Sequence, residues 1–111
     1  MFIVLMQLVD GGKAPTHMDG HKAWIRRQFD DGVLFYVGGR RGGGGNAMIA
    51  SGVAHSDLVA RLNANPFVSN GVVTVEVIEL DTTMSDPRLG FLVEFQGDRL
   101  GYQAAAPRSA E

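Results

Sequence analysis

The apolar residues of this chain change their spacing repeatedly up to about residue 82, and each change predicts an element. Residues 2–9 form a short, almost unbroken apolar run closed by Asp10-Gly11-Gly12, which predicts a strand. Phe2, Val4, Met6 and Leu8 point one way along it and Ile3, Leu5 and Val9 the other, so both faces of the sheet it joins should be covered. After Pro15, Thr16-His17-Met18-Asp19 resembles a capping box and predicts a helix starting at Thr16, or at Asp19 if Gly20 is kept out of the regular part. A period of 3.6 puts His21, Trp24, Ile25, Gln28 and Phe29 on one face and Lys22, Arg26, Arg27 and Asp30 on the other. Asp31-Gly32 ends this helix.

Residues 33–37 read as a second strand, and a glycine-rich loop from Gly38 to Asn46 separates it from a third, antiparallel strand over 47–51. Ser56 is placed to cap a second helix running to Asn63, with Leu58, Leu62 and Asn65 on one face. Pro66 disfavours helix at Asn65 and ends it. Residues 72–80, rich in Val, form the clearest strand of the chain. The order β-α-β-β-α-β predicts an α+β, ferredoxin-like fold with a four-stranded antiparallel sheet and both helices on one face. The simplest cover for the other apolar face is the same face of a second copy, so a homodimer is expected. Residues 1–82 make this domain and 83–111 an extension, in which 88–96 alternates as an extra strand or dimer arm and 103–111 reads as a frayed tail.

Composition narrows the function. The 111 residues carry a formal charge of -2 with scattered basic residues, which argues against nucleic acid. No cysteine is present, which excludes disulfides, thiolate catalysis and cysteine-bound metal. The opening apolar run meets Gln7 and Asp10 too early for a signal peptide or a membrane span, so a cytoplasmic protein is expected.

Against this background His21 stands out, because an imidazole on an inward face suits proton transfer at neutral pH. The alternative is a core-edge histidine satisfied by a carbonyl. Asn65, inward on the second helix, is placed to meet it and accept a hydrogen bond; the alternative is a C-cap before proline. His17 and His21 are spaced i, i+4, but the ligands and glutamate of a zinc-protease motif are missing, so no metal is assigned. Gly42-Gly43-Gly44-Gly45-Asn46-Ala47 fits a dinucleotide fingerprint formally, yet no helix and parallel strand of the needed length follow, so no cofactor is assigned. Arg40 and Arg41 beside it form an anion clamp or a solvated loop. Trp24, one turn past His21, walls an aromatic ligand or belongs to the core. Glu76 and Glu79 fall on opposite faces of the last strand, which leaves no paired carboxylates.

The first strand, the helix opening at His21, the strand ending in Gly38-Gly39 and above all Asn63-Ala64-Asn65-Pro66-Phe67-Val68-x-x-Gly71-Val72 resemble the YciI-like (YCII-related) proteins of the dimeric α/β-barrel superfamily. The resemblance covers roughly residues 1–82. It implies a homodimer and a site built from a histidine of the first helix and an aspartate before the Pro-aromatic pair. His21 matches the first, whereas Asn65 stands where the family usually has Asp, and Gly39-Arg40 where Gly-Pro is common. The implied function is cofactor-free proton transfer on a small aromatic or cyclic metabolite, of elimination, isomerisation or lyase type. His21 and Asn65 would be its catalytic pair, and Trp24, Gly39, Arg40 and Phe67 would bind the substrate. The alternative is a non-catalytic ligand-binding or accessory homodimer that has lost the His-Asp dyad, because an Asp-to-Asn change in a triad costs on the order of 10⁴ in rate.

Overall fold

The structure, a computed structural model, describes residues 1–93. Four strands, β1 (Phe2–Leu8), β2 (Leu34–Gly39), β3 (Gly45–Ala50) and β4 (Val73–Glu79), form one sheet in the order β2-β3-β1-β4, every neighbouring pair antiparallel. Two crossovers build it. The helix α1 (Ala14–Asp30) carries the chain from β1 to β2 and leaves a gap that β3 fills; α2 (His55–Asn63) and a short α3 (Pro66–Ser69) carry it from β3 to β4 around β1. This is the expected α+β, ferredoxin-like arrangement.

The period-2 alternation of β1 organises both faces. Phe2, Val4 and Met6 pair with Ala50, Met48 and Asn46 on β3 and with Glu79, Val77 and Val75 on β4, so these residues share the face beneath the helices. Phe2, Val4, Met6, Met48 and Ala50 are buried there, and Trp24, Leu58, Leu62 and Phe67 close the core from above. On the outer face one register row runs Tyr36, Ile49, Ile3, Ile78 across all four strands. Ile3, Ile49 and Ile78 are half-buried within one chain, and Tyr36 remains 56% exposed.

Several local expectations are corrected. Helix α1 begins two residues before Thr16, with no side-chain cap: a 3-10 turn over Gly11–Lys13 feeds directly into it, and Pro15 supplies the fixed φ that suits a first turn. Phe29, expected inward, is 43% exposed at the last turn of α1, where Gln28, buried and bonded to Arg61 of α2, takes the inward position. Helix α2 is capped by Ala54 rather than Ser56, again without a side-chain bond. In the extension, Pro87–Leu92 forms a 3-10 segment instead of a strand. Proline at its start removes a ladder donor, and Asp86 accepts from the Arg88 amide to cap the turn. Leu92 is buried, its carbonyl accepts from Ser51 Oγ, and Phe91 lies against Phe35 with ring centroids 5.5 Å apart. The remainder of the expected strand or arm, and the expected tail, lie outside the described residues.

Two glycines set close approaches that position the helices and the hairpin. Within α1, Gly20 carries no side chain where a Cβ would lie 3.0 Å from Pro66 Cγ, so the backbone of α1 packs directly on the ring of Pro66. Gly45 enters β3 with φ 151°, and a Cβ there would overlap the Met6 carbonyl oxygen of β1. A Gly45→Ala variant should therefore lose about 3 kcal/mol or more of stability in a urea melt. Gly43→Ala, with φ 88° but open space around it, should lose only about 1 kcal/mol.

Candidate functional site

Pro66 builds the site as much as any polar residue does. Forced out of the helical region, Asn65 takes an extended backbone (φ -71°, ψ 127°), which is the geometry of an N-cap, and Pro66 starts α3 behind it. The Asn65 side chain then folds over the new helix start, and its Oδ1 accepts from the Phe67 amide at 2.8 Å. The same oxygen lies 3.2 Å from His21 Nδ1. The His21 and Phe67 rings stack with centroids 4.0 Å apart and only 4° between their planes. His21 is 5% exposed, Asn65 fully buried and Phe67 buried.

This geometry determines the histidine's tautomer. An amide N–H can only donate, so the Asn65 atom facing Phe67 N–H is the oxygen. The imidazole nitrogen facing that oxygen therefore carries the hydrogen, and Nδ1–H donates to Asn65. In the neutral ring Nε2 is left with a free lone pair. Burial pushes the His21 pKa below its ordinary 6.5, and the hydrogen bond that the ring donates to Asn65 Oδ1 offsets this only in part. The ring is neutral at neutral pH, an acceptor at Nε2 and a donor at Nδ1.

The other expected site residues are placed differently. Trp24 is buried, and its indole N–H donates to the Arg61 carbonyl at 2.8 Å, joining α1 to α2. Arg61 in turn donates through Nη1 to Gln28 Oε1 and Asp31 Oδ2, both at 2.8 Å. Trp24, Gln28 and Asp31 thus form one seam that holds the two helices together. Arg40 is exposed in the hairpin, where its backbone N–H donates to the Gly45 carbonyl at 2.9 Å. Gly39 ends β2 opposite Asn46. The hairpin lies at the end of the sheet where β1 ends, since Leu8 N–H donates to the Gly44 carbonyl; the chain leaving α3, whose Phe67 stacks on His21, meets the same end of β1, where Val9 and Asp10 N–H donate to the Val72 carbonyl. The structure thus brings His21, Asn65 and Phe67 into contact and puts Gly39 and Arg40 at the same end of the sheet.

Asn46 is a residue that the sequence reading passed over by starting the third strand at 47. It pairs with Met6 and so faces the helices, and its Oδ1 is buried without a protein partner. The alternation Asn46, Met48, Ala50 was the signal that could have found it. Among the described residues, no group of three or more His, Cys, Asp or Glu side chains could hold a metal ion, and no helix is long and apolar enough to cross a membrane.

A scan against protein-family models finds no match, and a search of curated proteins finds none either. Among solved structures the chain is similar to 5-chloro-2-hydroxyhydroquinone dehydrochlorinase from Burkholderia phenoliruptrix AC1100, solved in complex with 2,5-dihydroxybenzoquinone. The likeness covers 72% of this chain and 93% of that one, with a TM-score of 0.56 and 14% identity. At this identity what is shared is the fold.

The lowered His21 pKa has a thermodynamic consequence. The unfolded chain takes up the proton near pH 6.5 while the folded chain resists it, so stability is complete above that pH and falls as pH drops below it. Denaturant melts should show stability falling from pH 6.5 downwards, by at most about 1.4 kcal/mol per pH unit from this group. His21→Gln should remove that part of the slope.

Proposed function

We propose that the protein is a YciI-like enzyme of small-molecule metabolism that moves a proton through His21 Nε2 without a cofactor. The observation that carries this reading is a buried, neutral histidine whose tautomer is fixed by Asn65 and whose ring is clamped against Phe67. Such a group is a preorganised base at neutral pH. In an elimination, Nε2 would take a proton from a carbon beside a carbonyl or ring oxygen while the leaving group departs with the electron pair of its own bond. In an isomerisation it would return that proton to another carbon. The flat stacked arrangement suits an aromatic or cyclic substrate. Gly39 and Phe67 would line its cleft, Trp24 would back His21, and Arg40 would meet any charged group left at the mouth. The solved dehydrochlorinase acts on a substrate of this kind, which makes that compound a first candidate.

Asn65 favours one second reading. It orients the imidazole but cannot balance an imidazolium as a carboxylate would, so a ligand-binding or accessory protein with the catalytic charge lost is the alternative. In either case a homodimer through the outer sheet face is proposed, because the row Tyr36, Ile49, Ile3, Ile78 would otherwise leave apolar surface on all four strands in water. A Leu5→Glu variant, at a 38% exposed position on that face, should shift the protein from dimer to monomer in sedimentation equilibrium.

Chloride release from 5-chloro-2-hydroxyhydroquinone, followed against pH, tests the catalytic reading. Turnover should fall below an apparent pKa that is itself below 6.5, and His21→Ala should lower it by about 10²–10⁴-fold. Asn65→Asp should raise the apparent pKa and the turnover number together. Turnover that is insensitive to His21→Ala would exclude His21 as the base; an absence of turnover that Asn65→Asp does not relieve would favour the binding protein.

A further inference from the structure

The outer face of the sheet carries two polar groups that the chain itself does not pair. Gly38, Ala47, Leu5 and Glu76 form one register row across all four strands, next to the row Tyr36, Ile49, Ile3, Ile78. Tyr36 does not stand up from β2. Its ring lies along the strand over Gly38, where a Cβ would fall 2.6 Å from Oη, so the hydroxyl sits in the row of Glu76. Among the described residues neither the Tyr36 hydroxyl nor the exposed Glu76 carboxylate has a hydrogen-bond or ion-pair partner. They cannot pair with each other, because β3 and β1 lie between β2 and β4 and set the two edge strands about 14 Å apart.

The donor and the acceptor stand symmetrically about the middle of the sheet. A two-fold axis parallel to the strands, between β3 and β1, turns one copy face down on another so that β2 lies over the partner's β4 and β3 over the partner's β1. Each row then meets its own copy. Ile49 meets the partner's Ile3, Leu5 meets the partner's Ala47, large against small, and the Tyr36 ring lies on the partner's Ile78 with its hydroxyl toward the partner's Glu76. Packed sheets keep their strands aligned to within about 30° and lie about 10 Å apart, a gap that a hydroxyl raised on one sheet and a glutamate from the other can bridge. The other face-to-face arrangement has its axis across the strands. Each edge strand then crosses its own copy, Tyr36 never reaches the partner's Glu76, and the carboxylates are left against one another or against apolar residues.

We infer that two copies of this chain pair face to face about an axis parallel to the strands, the Tyr36 hydroxyl of each donating to the Glu76 carboxylate of the other. This rests on the homodimer proposed above, and it adds the orientation of the two copies and the bond that selects it. The bond occurs twice, once at each edge of the interface, so a change to one residue is felt twice per dimer. Gly38 belongs to the device, because a side chain there would lift the ring off the sheet.

A double-mutant cycle on the full chain tests this, with the dimer dissociation constant read by sedimentation equilibrium and folding checked by circular dichroism. Within one chain, changes about 14 Å apart act independently, so coupling between Tyr36 and Glu76 has to cross the interface. Tyr36→Phe should raise the dissociation constant about tenfold or more, because it leaves two carboxylates unpaired in the interface. Glu76→Gln alone should also raise it, whereas Glu76→Gln added to Tyr36→Phe should lower it again by removing the stranded charges. Gly38→Ala should weaken the dimer as Tyr36→Phe does. A Glu76→Gln effect of the same sign and factor in both backgrounds would overturn the inference and leave the homodimer standing. A wild-type chain that is monomeric at micromolar concentration would overturn both.

Discussion

The oxygen of Asn65 is the point on which the site depends. It accepts from the Phe67 amide and from His21 Nδ1–H, and those two bonds tie the start of α3 to the middle of α1. Removing the side chain would leave a buried N–H on each side without a partner, and it would free the imidazole to rotate and change tautomer. The bonds are possible only because the two helices meet closely. Gly20 lets Pro66 approach to a distance that any side chain would contest, and Pro66 forces the backbone of Asn65 into the extended geometry that aims the amide back. Sterics at a glycine and a proline therefore position the chemistry of a histidine and an asparagine.

Electrostatics follows from the same packing. With Phe67 flat against it and 5% of its surface exposed, the His21 ring lacks the water that would favour its charged form, and an amide oxygen restores only part of that loss. A buried carboxylate at Asn65 would raise the pKa and hold an imidazolium; the amide keeps a neutral base with one defined acceptor nitrogen. The second polar seam, from Trp24 and Gln28 through Arg61 to Asp31, lies further along α1 and holds the two helices together.

Much of this was legible in the residue pattern. The alternation of β1 and the helical periods of α1 and α2 were enough to place His21 and Asn65 on inward faces, because burial enforces those periods over several turns. Details that depend on one end of an element were not legible. Thr16 and Ser56 look like caps, yet the chain enters both helices without a side-chain bond. Phe29 keeps the apolar period but lies exposed in the last turn of α1, beside the inward Gln28. Asn65 read as a helix end, and it is instead the beginning of the next helix, a distinction that depends on the four-residue length of α3. Asn46 was hidden by a strand boundary misplaced by two residues, and the register of β3 against Met6 was needed to show which way it faces.

The chemistry of the site stands on the protonation of one ring. Nitrogen NMR of His21 in the folded protein reads its tautomer and its titration together. The ring should show a hydrogen on Nδ1, a bare Nε2 at neutral pH and a midpoint below 6.5. A hydrogen on Nε2, or a midpoint above 6.5, would contradict it.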